Sequence, residues 1–518
     1  MLRIGVDVGG TNTDAVLLLG DRLLGSVKAP TTAHVEQGVC NAISELLTQQ
    51  KIETSAIQAV MIGTTQFTNA FIERRRLSRV GMIRIGAPAT TGVPPLYDWP
   101  ADLLSAISDH RVIVSGGYDF DGTELAMLDE PAIAAAARRF RADGLEAVAI
   151  ACCFAPICAQ MEHRAAEIIR NELPDARISL SSEFGRLGLI ERENATAMNA
   201  SLSHLAESVI GSFRQAIAAL GIAAPFFISQ NDGTMMTADE VERHPVLTFA
   251  SGPTNSMRGA GFLAGIGDAI VVDIGGTTVD VGQLVQSLPR ESAVAVDIGG
   301  VRTNFRMPDL VSRGLGGGSI VDVANGIRVG PRSVGFELGR KALVFGGDVL
   351  TATDIAVAAG AADIGDRSRV AHLPAGIVDA ALDAIHRQVD EAIDQIRTSK
   401  IEVPVVLVGG GSILVSRPLA AASDIRRPDN HAVANAVGAA TAQVGGEVDT
   451  IFSYESEGRD AVMSAAMELA RKRAVDAGAL RESVRVVDVE EVLLAYLPGK
   501  SVHVRVKAIG DLAVAGGL

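Results

Sequence analysis

Short apolar runs of strand length alternate with helix-period segments along almost the whole chain. Leu2–Val8, Ala15–Leu19, Ala59–Gly63, Val80–Ile85, Ala147–Ala151, Ala269–Ile274 and Val403–Val408 predict strands. Between them, Val35–Leu47, Ile133–Ala142, Arg164–Leu173 and Val378–Ile396 carry apolar residues at three- and four-residue spacing and predict helices. Strands interleaved with helices predict an α/β chain with largely parallel or mixed sheets. The proline-rich stretch 88–100 predicts an irregular excursion, and the Ala-rich 191–220 a long connecting helix. After Thr450 a charged helix over Glu455–Ala477 and two strand-like runs predict a small α+β module.

The pattern also repeats. Residues 4–18 read IGVDVGGTNTDAVLL and residues 270–284 read IVVDIGGTTVDVGQL. Each is an apolar strand, then Asp-x-Gly-Gly-Thr, then a second Asp seven residues after the first (Asp7/Asp14 and Asp273/Asp280), then another strand. Two such matches in one chain point to a duplicated domain.

Composition adds three things. A length of 518 residues suggests about three domains at ~150 residues each. Glycine is in excess, 54 of 518 or about 10% against a usual ~7%, with no collagen-like period, which assigns the surplus to turns and loops that approach a ligand. Net charge is 46 − 61 = −15 and aromatics are 4%, so neither a nucleic acid nor an anionic membrane is an expected partner. The N-terminus shows no secretory signal, no apolar run reaches ~18 residues, and the four cysteines have neither zinc nor scaffold spacing. A cytoplasmic location is expected.

A strand that ends in Asp and turns through two glycines offers backbone N–H groups to a phosphate, and Thr11, Thr13, Thr277 and Thr278 add hydroxyls there. The Asp at the strand end can hold Mg²⁺, usually through water. Two such loops facing each other would clamp a triphosphate, which is the positioning that phosphoryl transfer needs. The alternative is two ordinary Gly-rich hairpins. A third element, Gly409-Gly410-Gly411-Ser412, directly follows the strand run Val403–Val408. It is not a Walker loop, since no Gly-Lys-Ser/Thr follows.

Two Asp-Gly-Gly-Thr loops followed by a strand ending in Gly-Gly-Gly resemble the phosphate-1, phosphate-2 and adenosine elements of the actin-like ATPase superfamily. Within it the chain resembles the hydantoinase/oxoprolinase family, A-type (ATP-hydrolysing) subunit, from residue 2 to about 445. Matching stretches include GTTQFTNAFIERR (63–75), ERENATAMNASL (191–202), ASGPTNSMRGA (250–260), GLGGGSI (314–320) and VANAVGAA (433–440). The resemblance implies duplicated actin-like (ribonuclease H-like) lobes around a nucleotide cleft, with inserted and C-terminal α+β material. The expected division is a first lobe over 1–190, a second over 191–450 and a C-terminal module over 451–518.

The implied activity is ATP-dependent hydrolysis of a cyclic amide (a hydantoin, 5-oxoproline or a lactam) through phosphorylation of its carbonyl oxygen. Relatives in the superfamily serve ATP-dependent ketone carboxylases. ATP and Mg²⁺ are the implied cofactors, with the metal on Asp7 and Asp273. Gly9, Gly10, Thr11, Thr13, Gly275, Gly276, Thr277 and Thr278 would hold phosphate, and Gly409, Gly410, Gly411 and Ser412 the remainder of the nucleotide. Asp14 and Asp280 are candidates to orient water as general bases, or they cap the hairpins. Thr64, Thr65, Thr68 and Asn69 open a helix after a strand, and Ser251 opens another; both are candidate sites for a substrate oxygen, or plain helix caps. Gly316–Ser319 would line the cleft.

The match does not include the B-type half of full-length oxoprolinases, so a B-type partner subunit and an oligomer are expected. Thr254-Asn255 stand where the family usually has Ala-Gly, and Phe336–Lys341 replaces its Pro-Gly-Pro-Ala-Cys stretch; both bear on substrate identity. The competing readings are a sugar-type kinase and a non-catalytic ATP-binding regulator. Val296–Gly300 repeats VDIGG but lacks the threonines and reads as a structural strand. Arg74–Arg76 reads as a solvated helix end, and His244 is the best of the scattered histidines.

Overall fold

The computed structural model describes residues 1–9, 12–30, 35–107, 109–184, 186–292, 294–304, 307–324, 326–399, 403–495, 497 and 500–513. Two sheets carry the same five-strand plan. In the first, Arg22–Pro30, Asn12–Leu19, Leu2–Val8, Ala59–Thr64 and Phe226–Ser229 lie side by side. In the second the order is Leu310–Arg313, Val279–Val285, Ala269–Ile274, Val405–Val408 and Ile425–Arg426. In both, the first three strands in chain order are antiparallel neighbours and the last two are added parallel. The repeated sequence thus opens two copies of one α/β lobe, the duplicated actin-like arrangement that the resemblance implied.

Long excursions separate the copies. Between the fourth and fifth strands of the first lobe comes an all-parallel sheet, His110–Ser115, Val80–Ala87, Ala147–Cys152 and Arg177–Leu180, followed by helix Leu189–Ala219. Sheet membership crosses the chain: Thr234–Thr237, Gln443–Ser453, Ser501–Gly510 and Arg485–Leu493 extend the first lobe's sheet to nine strands. Helix Arg459–Asp476 covers these last strands with Val462, Ala466, Ala470 and Ala474 buried. No helix among the described residues is long and apolar enough to cross a membrane.

Helix Leu189–Ala219 explains its own motif. Its opening polar residues are anchors: Glu193 takes both Arg84 Nε (2.6 Å) and Nη2 (2.7 Å), and also the backbone N–H of Leu96 (3.2 Å). Asn194 Oδ1 accepts from Trp99 Nε1 at 2.7 Å, and Arg192 Nη2 donates to Cys152 O at 2.7 Å. The 88–100 excursion is therefore pinned to the helix by buried polar bonds in place of regular structure. Arg74 departs from the solvated reading: it donates to Asp102 (2.9 Å) and to Gly299 O (2.6 Å). Val296–Ile298 is a structural strand paired with Val301–Thr303. The four cysteines are free thiols.

The lobes meet across two small-residue helices. Met257 and Ala260 of Ser251–Ala264 pack on the second lobe's sheet, and Ala436, Val437 and Ala440 of Ala434–Thr441 pack on the first hairpin. Where the helices cross, a Cβ on Gly259 would lie 1.8 Å from Ala434 O, and one on Gly438 1.8 Å from Asn255 O. Only glycine permits that contact.

Candidate nucleotide and phosphoryl-transfer site

Each hairpin ends its first strand in an aspartate placed directly across from the second: Asp7 opposite Asp14, and Asp273 opposite Asp280. The turns close alike, Gly9 N–H donating to Asn12 O (3.0 Å) and Gly275 N–H to Thr278 O (2.9 Å). Gly10 and Thr11 lie outside the described residues. Gly276, Thr277 and Thr278 are exposed at the tip of the second hairpin. Thr13 is fully buried in its strand.

The fourth strand of each lobe runs parallel beside the aspartate strand and brings a glycine there, within the strand in the first lobe and just after it in the second. Gly63 pairs with Asp7, and a Cβ on it would sit 2.9 Å from Asp7 Oδ1. Gly409 follows Val408, the partner of Asp273; its φ is +82° and its Cβ would fall 2.2 Å from Asp273 Oδ1. A side chain there would be strained and would evict the carboxylate. Gly409→Ala is expected to lower stability by about 1–3 kcal/mol and to weaken nucleotide binding, measured by thermal melts and titration of a fluorescent ATP analogue.

The glycine loops of the second lobe form one cluster. Gly317 N–H donates to Gly275 O (3.0 Å) and Gly318 N–H to Gly276 O (2.7 Å), while Thr353 Oγ1 braces Gly317 O at 2.8 Å. Gly410 is exposed beside this cluster; Gly411 and Ser412 are buried, and Ser412 O accepts from Arg427. In the first lobe, Ser251 Oγ donates to Thr64 O (3.3 Å), which joins the two helix openings. Thr64 is buried, Thr65 and Thr68 are partly exposed and Asn69 is exposed. His244 lies elsewhere, between Glu240 and Glu183 with its ring edge-on to Phe184.

Of the further partners of the aspartates, Ser256 belongs to the helix opening at Ser251 that the sequence singles out; Asn435, Lys28 and Ser312 do not. Asn435 Nδ2 donates to Asp7 Oδ2 at 3.4 Å, and the Ser256 hydroxyl stands beside Asp273. Lys28 Nζ pairs with Asp14 at 2.8 Å, and the Ser312 hydroxyl donates to Asp280. Lys28 was within reach of a register argument, because it faces Asp14 directly across the strand pair. Asn435 and Ser256 come from helices far along the chain.

Burial sets the charge state of the four aspartates. Burial, then the neighbouring Asp14, push Asp7 up to about 7, against the hydrogen bond from Asn435. Burial likewise raises Asp273 to about 6, with Ser256 opposing and Asp280 adding to the rise. Asp14 and Asp280 are also raised, by burial first. Four carboxyls that resist charge around exposed N–H groups are suited to a cation that also carries phosphate. No group of three or more His, Cys, Asp and Glu among the described residues forms a metal cage. Mg²⁺ fits such a place, since it is usually bound by one or two carboxylates plus substrate phosphates and water.

The raised values fix a pH dependence. Between the unfolded carboxyl value near 4 and the folded values near 6 and 7, the folded protein binds more protons than the unfolded chain. The stability from Asp7 and Asp273 is therefore full below about pH 4 and is lost as pH rises through 7. In melts without nucleotide and metal across that window, Asp7→Asn is expected to flatten the slope relative to the unaltered chain.

Comparison with known proteins gives the following. Residues 3–173 match the hydantoinase/oxoprolinase N-terminal region and residues 192–364 match hydantoinase/oxoprolinase. Caprolactamase subunit alpha of Pseudomonas jessenii is 30% identical over 427 residues, covering 78% of this chain and 59% of that protein. The acetophenone carboxylase gamma subunit of Aromatoleum aromaticum is 28% identical over 405 residues, covering 69% and 53%. The chain thus spans little more than half the length of these relatives. Among solved structures, the ATP-dependent caprolactamase of P. jessenii superposes with a TM-score of 0.78 at 20% identity, covering 99% of this chain and 88% of that one. Nucleotide-free acetone carboxylase gives 0.70 at 18%, with the same coverage. At these identities the superpositions speak for the fold.

Proposed function

The chain belongs to the hydantoinase/oxoprolinase family, and on that premise we propose that it uses ATP and Mg²⁺ to open a cyclic amide, together with a B-type partner subunit. The observation that carries this reading is the pair of buried carboxyls, Asp7 and Asp273, each near a strand end of one lobe, each across from a second aspartate and each raised above the usual carboxylate range by burial. The names of the two relatives, a caprolactamase subunit and a carboxylase subunit, support ATP-linked chemistry at a carbonyl.

A lactam carbonyl is a poor electrophile. Transfer of the γ-phosphoryl group to its oxygen, with ADP leaving, activates the carbon. Water adds there, the adduct collapses by breaking the ring C–N bond to give an amine and an acyl phosphate, and a second water releases phosphate from the latter. Mg²⁺ would neutralise phosphate charge, held by Asp7 and Asp273. The N–H groups of Gly276, Thr277 and Thr278 fix the phosphates on the second hairpin, as those of Gly10 and Thr11 do on the first. Gly9 and Gly275, whose N–H groups close the turns, keep the backbone clear of side chains there, and Thr13 supports the first hairpin. The loop Gly409–Ser412 takes the nucleoside end. Thr64, Thr65, Thr68, Asn69 and Ser251 position the amide oxygen. Asp14 and Asp280, held by Lys28 and by Ser312, orient the attacking water and accept its proton.

The test is ATP hydrolysis with hydantoin, 5-oxoproline, caprolactam and a sugar panel, with and without a co-expressed B-type subunit. Phosphate release tied to a ring-opened product is the expected result. A phosphorylated sugar would replace this reading with a kinase, and turnover indifferent to every small molecule would replace it with an ATP-driven regulator.

A further inference from the structure

A cavity of ≈ 390 Å³ opens where strand Gln443–Ser453 passes the end of the inserted sheet. Its walls come from distant stretches: Ser182, Glu183 and Arg186; Gln230, Asn231 and Asp232; Asn304; and residues 445–450. None of the residues assigned above to nucleotide, metal or amide lines it. Its size suits a small organic molecule.

The charged groups around it are mostly satisfied. Asp232 pairs with Lys507 at 2.9 Å, Asp449 with His503 at 2.6 Å, and Glu183 approaches His244 at 3.4 Å. What remains is a complementary set of unused donors and acceptors. Asn231 is only 3% exposed, yet its Nδ2 has no hydrogen-bond partner among the described residues. On the half-buried side chains of Asn304 and Arg186, Oδ1 and Nε likewise have no hydrogen-bond partner among the described residues, Arg186 Nε reaching Asp449 only at 3.8 Å. Buried polar atoms are nearly always paired, so two donors and one acceptor left open around one cavity mark a place for a ligand with the opposite pattern.

We propose that this cavity is a second binding site, for a small molecule that carries an N–H group beside carbonyl or carboxylate oxygens. The oxygens face Asn231 Nδ2 and Arg186, and the N–H faces Asn304 Oδ1. A cyclic amide and a ring-opened amino acid both present these groups. The occupied site ties the strand that leads into the C-terminal module to Arg186, on the same side of the cavity where Thr450 Oγ1 already donates to Pro156 O at 3.3 Å.

Calorimetric titration of the full chain with hydantoin, 5-oxoproline, caprolactam, glutamate and 6-aminohexanoate tests this without nucleotide. One class is expected to bind at one molecule per chain, the ring-closed and ring-opened arms telling the sources apart, and Asn231→Leu and Arg186→Met are each expected to weaken it about tenfold. Retained affinity for a fluorescent ATP analogue certifies that a variant is folded; should neither fold, a crystal of the unaltered chain soaked with the binding compound decides. Density among Asn231, Asn304 and Arg186 supports the site. Absence of binding by all five compounds, affinity unchanged in both folded variants, or density elsewhere (water alone in the cavity included) overturns it. Such a failure alongside substrate-dependent ATP hydrolysis would leave the proposed reaction standing.

Discussion

Asp273→Asn is expected to lower ATP hydrolysis by about 10²–10³-fold, the loss typical of removing one preorganised electrostatic group from a reaction site. The substitution conserves shape, so Gly409 still clears the space beside it and the hairpin register is unchanged. Stability should hold or rise, because burial disfavours the charge of the carboxyl it replaces. Activity and stability therefore move apart, which a merely structural aspartate would not produce. Asp7→Asn should behave alike, and the double variant should lose far less than the sum if the two carboxyls act on one metal. Steady-state phosphate release and melts on the same preparations check this; unimpaired turnover in Asp273→Asn would sink the clamp.

The second large effect concerns stability. Glu193→Ala should cost about 3–5 kcal/mol, since it leaves Arg84 charged, buried and unpaired. Both side chains of this pair are essentially inaccessible, at 1% and 0%. The substitution also removes the acceptor of Leu96 N–H, leaving Arg84 Nη1 to Val93 O, at 2.5 Å, as a remaining tie to the 88–100 excursion. The surface pair of Arg138 with Glu172 supplies the contrast: Arg138→Ala should change stability by less than about 1 kcal/mol. Urea midpoints of the two variants test the difference, and equal values would show that the buried pair has no special standing.

The two hairpins were legible in sequence because apolar runs, paired aspartates and glycine turns are local signals, and the repeat doubled them. Residue type was a weaker guide than periodicity. Thr13 was chosen for its hydroxyl, but in a strand it points to the opposite face from its neighbour Asp14, and it is fully buried. Ser412 is likewise enclosed. In ERENATAMNASL, the polar residues Arg192, Glu193 and Asn194 turn out to anchor the interior. The return of Gln443–Ser453 and Ser501–Gly510 to the first lobe's sheet could not be read locally, because strand partners hundreds of residues apart are chosen by packing. The same distance concealed Asn435.

The contact of Gly259 with Ala434 and of Gly438 with Asn255 has a mechanical consequence. Two backbones that touch with no layer of side chains between them leave no slack at the crossing, and helix Ser251–Ala264 is bonded to the first lobe as well, through Ser251 to Thr64 O and Asn255 Nδ2 to Ser229 Oγ. Asn435 sits on one helix and touches Asp7; Ser256 sits on the other and stands by Asp273. The crossing thus sets the spacing of the two aspartates, and a single added methyl group at position 259 or 438 would push the helices apart and carry Asn435 and Ser256 with them.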